Sequence, residues 1–147
     1  MLAQAIKRRI SKEENQKGFT LIELLAVIVI LGIIAVIAIP LIGNIVTNSR
    51  EDADLATARQ VYEAARLYVI GEQNGNFVSN TSVTLETLQT NHYIEAGLVL
   101  PSTKVALTPA TTLVKFTADG ILQSVTLTPA PAKVRNGLYT ASQIITK

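Results

Sequence analysis

The sequence holds no cysteine, no tryptophan and a single histidine, His92, in 147 residues. Without thiols there is no disulfide framework, no thiolate metal site and no cysteine nucleophile. One histidine leaves little material for a zinc centre or a catalytic triad. Asp119 is the only acid after Glu95, too few oxygen ligands for a C-terminal calcium site. No glycine-rich phosphate loop or metal-ligand spacing is present. An enzyme is not expected, nor a bound metal or other cofactor. Charged residues make up only 16% of the chain against 48% hydrophobic, with a mean hydropathy of +0.34. That is too apolar for an ordinary soluble domain and too polar for a polytopic membrane protein, so the apolar excess has to sit in one place.

It does. Residues 24–39 carry no polar side chain, and from Phe19 to Ser49 the only charge is Glu23. The 25 residues 19–43 would extend about 37 Å as a helix, enough to cross a hydrocarbon core of about 30 Å. A secretory signal has a shorter apolar stretch, about 7–15 residues, ending at a small-residue cleavage site; this one ends in Pro40-Leu41-Ile42-Gly43.

The net charge of +2 and pI near 9.0 hide an uneven distribution. Residues 1–18 carry Lys7, Arg8, Arg9, Lys12 and Lys17 against Glu13 and Glu14. Residues 50–99 hold seven acids against three arginines, and residues 100–147 hold five basic side chains against Asp119. The basic pI thus belongs largely to the N-terminal extension. Basic residues before the apolar run place the N-terminus in the cytoplasm and the C-terminus outside, by the positive-inside rule.

The junction between the basic extension and the apolar run reads Gln16-Lys17-Gly18-Phe19-Thr20-Leu21-Ile22-Glu23. It closely resembles the type IV prepilin signature, with a basic leader, Gly18 before Phe19, Glu23 in fifth place, and Gly32 and Pro40 further along the helix. The resemblance covers roughly residues 7–50. It implies a pilin or pseudopilin whose leader is cut after Gly18 by a prepilin peptidase, which also N-methylates Phe19. It further implies a single-pass membrane protein that an assembly ATPase and platform protein extrude into a helical surface filament of self-copies, with minor pilins or pseudopilins. Adhesion, motility, competence-type DNA uptake and type II secretion all remain open. The lack of cysteine removes the C-terminal disulfide loop of many Gram-negative pilins and leans towards a Gram-positive source.

Elementary chemistry gives these positions a rationale. Gly18 lets an extended backbone enter a protease cleft without a Cβ. Cleavage creates an amine at Phe19, four residues before Glu23 and so one helical turn away. Opposite charges in low dielectric attract strongly, and an unpaired one is costly there. A membrane-embedded subunit can pair the two internally, or a neighbour in a filament can supply the amine to Glu23. Pro40 lacks an N–H and is expected to kink or locally open the helix, and Gly32 and Gly43 weaken it.

Three regions are expected: the leader, 1–18; a membrane or filament-core helix, 19–46; and a head, 47–147, that includes the second half of the long helix. Ala58, Val61, Ala65, Tyr68 and Val69 recur at three- and four-residue steps, an amphipathic pattern ending at Gly71, with Arg59–Glu63 as an i,i+4 pair. Residues 74–83 read as a loop, and Thr84 as the N-cap of a short helix ending near Asn91. Residues 98–100 form an apolar run broken by Pro101. Residues 111–117 and 121–128 flank Asp119-Gly120, a hairpin signal. With those two residues as the turn, Val114 faces Val125, Phe116 faces Gln123, and Val114, Phe116, Ile121, Val125 and Leu127 share one face. A last strand is expected within 134–145. The fold class is α+β: one long N-terminal helix against a small antiparallel sheet.

Lys104, Lys115, Lys133 and Arg135 are the head's candidate polyanion contacts. DNA is one partner they would fit; the favoured reading is a solvated face that complements the acidic segment of a neighbouring subunit.

Overall fold

In the computed structural model a helix, α1, runs through Leu21–Glu72. The structure describes Gln4 and residues 18–78 and 81–146; the leader's charged residues, Lys7 to Lys17, lie outside them, as does Lys147. Thr20 and Glu23 start α1 as a capping box. The Glu23 N–H donates to Thr20 Oγ1 (3.3 Å) and the Thr20 N–H donates to Glu23 Oε2 (2.8 Å), so the first unpaired amides of the helix are reciprocally satisfied. Pro40 sits inside α1 without ending it.

The chain divides into two compact units, Met1–Gly43 and Asn44–Lys147. In the first, the described residues are helical from Leu21 onward, and its large aliphatic side chains stand exposed, from 50% at Val27 to 89% at Leu21.

The second unit contains a four-stranded antiparallel sheet in the order β1-β2-β3-β4, with β1 at Ser82–Thr84, β2 at Leu113–Phe116, β3 at Leu122–Thr126 and β4 at Leu138–Thr140. Within this unit α1 buries Leu55, Ala58, Val61, Ala65 and Val69, the three-and-four spacing that puts side chains on one helical face. They share a buried cluster with Val83, Val114, Phe116, Val125 and Leu127 from the sheet side. Each large side chain removed from water in this way contributes about 1.5–3 kcal/mol. Tyr68, expected on the buried face, is only half-buried, whereas Leu55 and Asp54 extend that face towards the N-terminus. Arg59 Nε reaches across to the Ile144 carbonyl (2.7 Å).

Helix α2, Leu85–Thr90, follows β1 directly. The Thr84 side chain accepts from the Thr87 N–H, and Asn91 closes the other end, as the sequence indicates. The expected loop over 74–83 instead finishes in β1, where Val83 pairs with Val114. Three residues are too few to show a two-residue alternation. Residues 98–100 join no strand of the sheet; Val99 makes an isolated bridge to Ala106.

The hairpin turn differs from the expectation in one instructive way. Thr117 and Ile121 close a three-residue loop, the Thr117 N–H donating to the Ile121 carbonyl (2.8 Å) and the Gly120 N–H to the Thr117 carbonyl (3.0 Å). Gly120 takes the left-handed position, φ +79, as this loop type requires. The extra loop residue moves Phe116 opposite Leu122, not Gln123, and an irregularity beside it restores Val114 to Val125. A one-residue slip flips side chains between faces. Leu122 is consequently buried (3%), and Ile121, expected in the core, is exposed (60%).

The expected last strand is shortened from both ends. A 3₁₀ turn, Arg135–Gly137, precedes β4, and a helix, α3 (Ala141–Ile145), follows it. Asn136 and Gly137 both have positive φ, and a Cβ on Gly137 would run into the Leu127 carbonyl. Thr140 and Gln143 then form a capping box that turns the chain into α3.

Candidate functional site

The segment Gly18-Phe19-Thr20 precedes α1 without regular structure and is fully exposed, Phe19 at 84%. Among the described residues, its chain neighbours aside, no atom lies within 4 Å of where a Gly18 Cβ would stand. The next turn holds the only acid of the apolar run. Glu23 Oε2 receives both the Thr20 N–H and the Thr20 hydroxyl, each at 2.8 Å. Both bonds fall on one oxygen. Oε1 carries no hydrogen bond among the described residues. The carboxylate therefore begins the helix and still has a site for a cation.

Beyond it the aliphatic side chains of Leu24, Ile28, Leu31 and Ile34 are all more than half exposed. Among the described residues α1 is the one helix long and apolar enough to cross a membrane. Gly32 and Pro40 lie within this stretch, and among the described residues nothing outside its own helical turn packs against Gly32. Apolar surface on this scale needs lipid or other helices to cover it.

Residues 15–39 match the family model described as the prokaryotic N-terminal methylation motif. The type IV major alpha-pilin of Moraxella bovis is 37% identical over 76 residues, covering 47% of this chain and 48% of that one. Both findings support the type IV pilin family. It spans about half the length of the relative it matches. No solved structure matches it. The long N-terminal helix and small antiparallel sheet are consistent with the α+β type IV pilin fold.

On the head the four singled-out basic residues lie in three separate segments. Lys104 holds a left-handed position, φ +57, in the turn closed by its N–H on the Leu100 carbonyl (2.8 Å). Lys115 is exposed on β2, in the row Ser82–Lys115–Ser124–Thr140 that crosses all four strands. Lys133 and Arg135 belong to the segment leading into β4. Lys133 Nζ pairs with Glu51 Oε1 of its own chain at 2.5 Å.

Two polar groups of the head escaped sequence reasoning. Asp54 is buried (1%), its Oδ1 accepting the Ser102 N–H at 3.0 Å. Its place, four residues before Ala58 and seven before Val61, was the available signal: a charge on the buried stripe. Tyr139 on β4 is 4% exposed, with a hydroxyl that lacks a hydrogen-bond partner among the described residues. Burial pushes its phenol up to about 12, and the nearby Asp54 and Glu51 carboxylates push the same way. Nothing in the sequence marks Tyr139 apart from the other three tyrosines.

Proposed function

We propose that this chain is a structural, non-catalytic subunit of a type IV pilus-like filament. A prepilin peptidase removes residues 1–18 and methylates the new N-terminus at Phe19. The subunit then waits in the cell membrane, N-terminus inside and C-terminus outside, until an assembly ATPase and platform protein draw it into a surface filament of identical copies. The observation that carries this reading is Glu23: a carboxylate with one oxygen uncommitted among the described residues, at the start of the exposed apolar half of α1, which holds no other charge up to Ser49. Burying it in lipid or in a helix bundle is costly unless a cation meets it, and the Phe19 amine is the cation that cleavage supplies. The similarity to a type IV major alpha-pilin supports a pilin-like filament subunit.

Coexpression with a prepilin peptidase tests the first step. Mass spectrometry should find a mature chain shortened by 18 residues that begins with methylated Phe19, and Gly18→Ala should be cut poorly. A mature protein that keeps residues 1–18 would overturn the assignment.

A further inference from the structure

A cavity of about 300 Å³ opens on the head, lined on the α1 side by Glu51, Asp52 and Leu55 and on the β4 side by Lys133, Val134 and Tyr139. Liquid water occupies about 30 Å³ per molecule, so this space exceeds what one bridging water fills. Leu55 and Val134 give it apolar lining. Two carboxylates and one ammonium give it a net negative charge, and the buried carboxylate of Asp54 adds to the field at Tyr139. The Lys133–Glu51 pair, with side chains 57% and 37% exposed, lies at the cavity rather than filling it. The Tyr139 side chain is more than nine-tenths buried, yet its hydroxyl meets no partner among the described residues. An unsatisfied buried hydroxyl costs about 1–3 kcal/mol, a cost that a polar occupant of the cavity would relieve.

We infer that this cavity receives a lysine side chain from a second copy of the chain, its aliphatic stem against Leu55 and Val134 and its ammonium between the Glu51–Asp52 carboxylates and the Tyr139 oxygen. The inference rests on the filament reading above. The chain supplies the complement itself. Lys104 and Lys115 are exposed and make no ion pair among the described residues, and both come from the basic segment 100–147, whereas the cavity acids come from the acidic segment 50–99. Head-to-tail contacts of a helical assembly join different patches of identical subunits, and opposite net charge on two segments of one head provides such a pair.

The test uses filaments assembled from a mixture of ¹⁵N-labelled and unlabelled full-length subunits, processed in the cell, and treated with a carbodiimide. This reagent joins a carboxylate to an amine only when the two touch. Digestion should yield mixed-label peptides that link Glu51 or Asp52 to Lys104 or Lys115. In parallel, Tyr139→Phe filaments should release about fivefold more subunit in high salt, the factor for one lost hydrogen bond, while the detergent-solubilised variant melts no lower than the parent. If the only product is the same-label Glu51–Lys133 link, or if Tyr139→Phe filaments behave as the parent does, the cavity has no such occupant. Absence of any filament from correctly processed parent chain would remove the filament reading and this proposal together.

Discussion

Thr20 and Glu23 hold each other through three hydrogen bonds: Thr20 donates its N–H and hydroxyl to one carboxylate oxygen and accepts the Glu23 N–H on its own hydroxyl. The acid that the assembly reading requires is thus also the residue that starts α1. Its two roles are separable by substitution.

Glu23→Gln keeps an acceptor for the Thr20 N–H, since glutamine serves in a capping box, but has no charge to offer the Phe19 amine. Glu23→Ala loses both. Cleavage after Gly18 should survive in each variant, and filament yield, measured by shearing and immunoblot, should fall in each. Only Glu23→Ala should also fray the first turn of α1, at a cost of about 1 kcal/mol. Normal filament yield from both variants would mean that apolar packing alone drives assembly.

The three-residue turn predicts an asymmetry between adjacent residues. Leu122→Ala removes a buried side chain and should destabilise the head by about 2–5 kcal/mol. Ile121→Ala removes an exposed one and should change stability by about 0.5 kcal/mol or less. Denaturant unfolding of the full chain in detergent, followed by hydrogen exchange of the strand amides, distinguishes this register from one with Asp119-Gly120 as a two-residue turn, in which Ile121 would be the sensitive position.

Tyr139 should impose an alkaline limit on stability. Its folded-state pKa of about 12 lies above the ordinary tyrosine value of about 10. The folded head therefore binds the phenolic proton more tightly than the unfolded chain does. Its contribution is complete below about pH 10 and is lost as pH rises towards 12. A pH series of unfolding midpoints should fall over that window in the parent and fall less in Tyr139→Phe. Equal slopes would show that other groups govern the alkaline transition.

The basic residues of the head should not form a DNA-binding surface. Lys133 is already paired with Glu51, which leaves Lys104, Lys115 and Arg135 in separate segments. The full chain in detergent should bind no duplex at about 50 mM salt. If these three did meet phosphates, log affinity would fall with log salt at a slope of about −2.7, or −0.9 for each contact. A fluorescence-anisotropy titration with that slope would refute the inter-subunit reading of this surface.

Much of the molecule is written in local patterns. The uncharged run with one acid, the spacing of Ala58, Val61, Ala65 and Val69, the Thr84 cap and the break at Gly71 each express a preference that a few neighbouring residues settle among themselves. So does the N-terminal methylation motif around Gly18-Phe19, a linear pattern legible without any tertiary contact. The pairing of Val114 with Val125 was likewise legible, because two alternating runs around Asp-Gly leave few registers.

What lay beyond the sequence depends on contacts between distant segments. The choice between a two- and a three-residue turn is small in local energy. It is decided by which of Ile121 and Leu122 the core accepts, and the irregularity beside Phe116 absorbs the difference. β1 is too short to announce itself and exists because β2 offers an edge to pair with. Asp54 lies on the buried helical stripe because the Ser102 N–H, 48 residues away, meets its carboxylate. Lys133 finds Glu51, and Tyr139 comes to rest beside both acids, only once α1 and the segment before β4 are packed together. Short-range steric and hydrogen-bond preferences therefore fixed the helix and its caps. Burial and charge pairing across the chain decided the head's polar cavity.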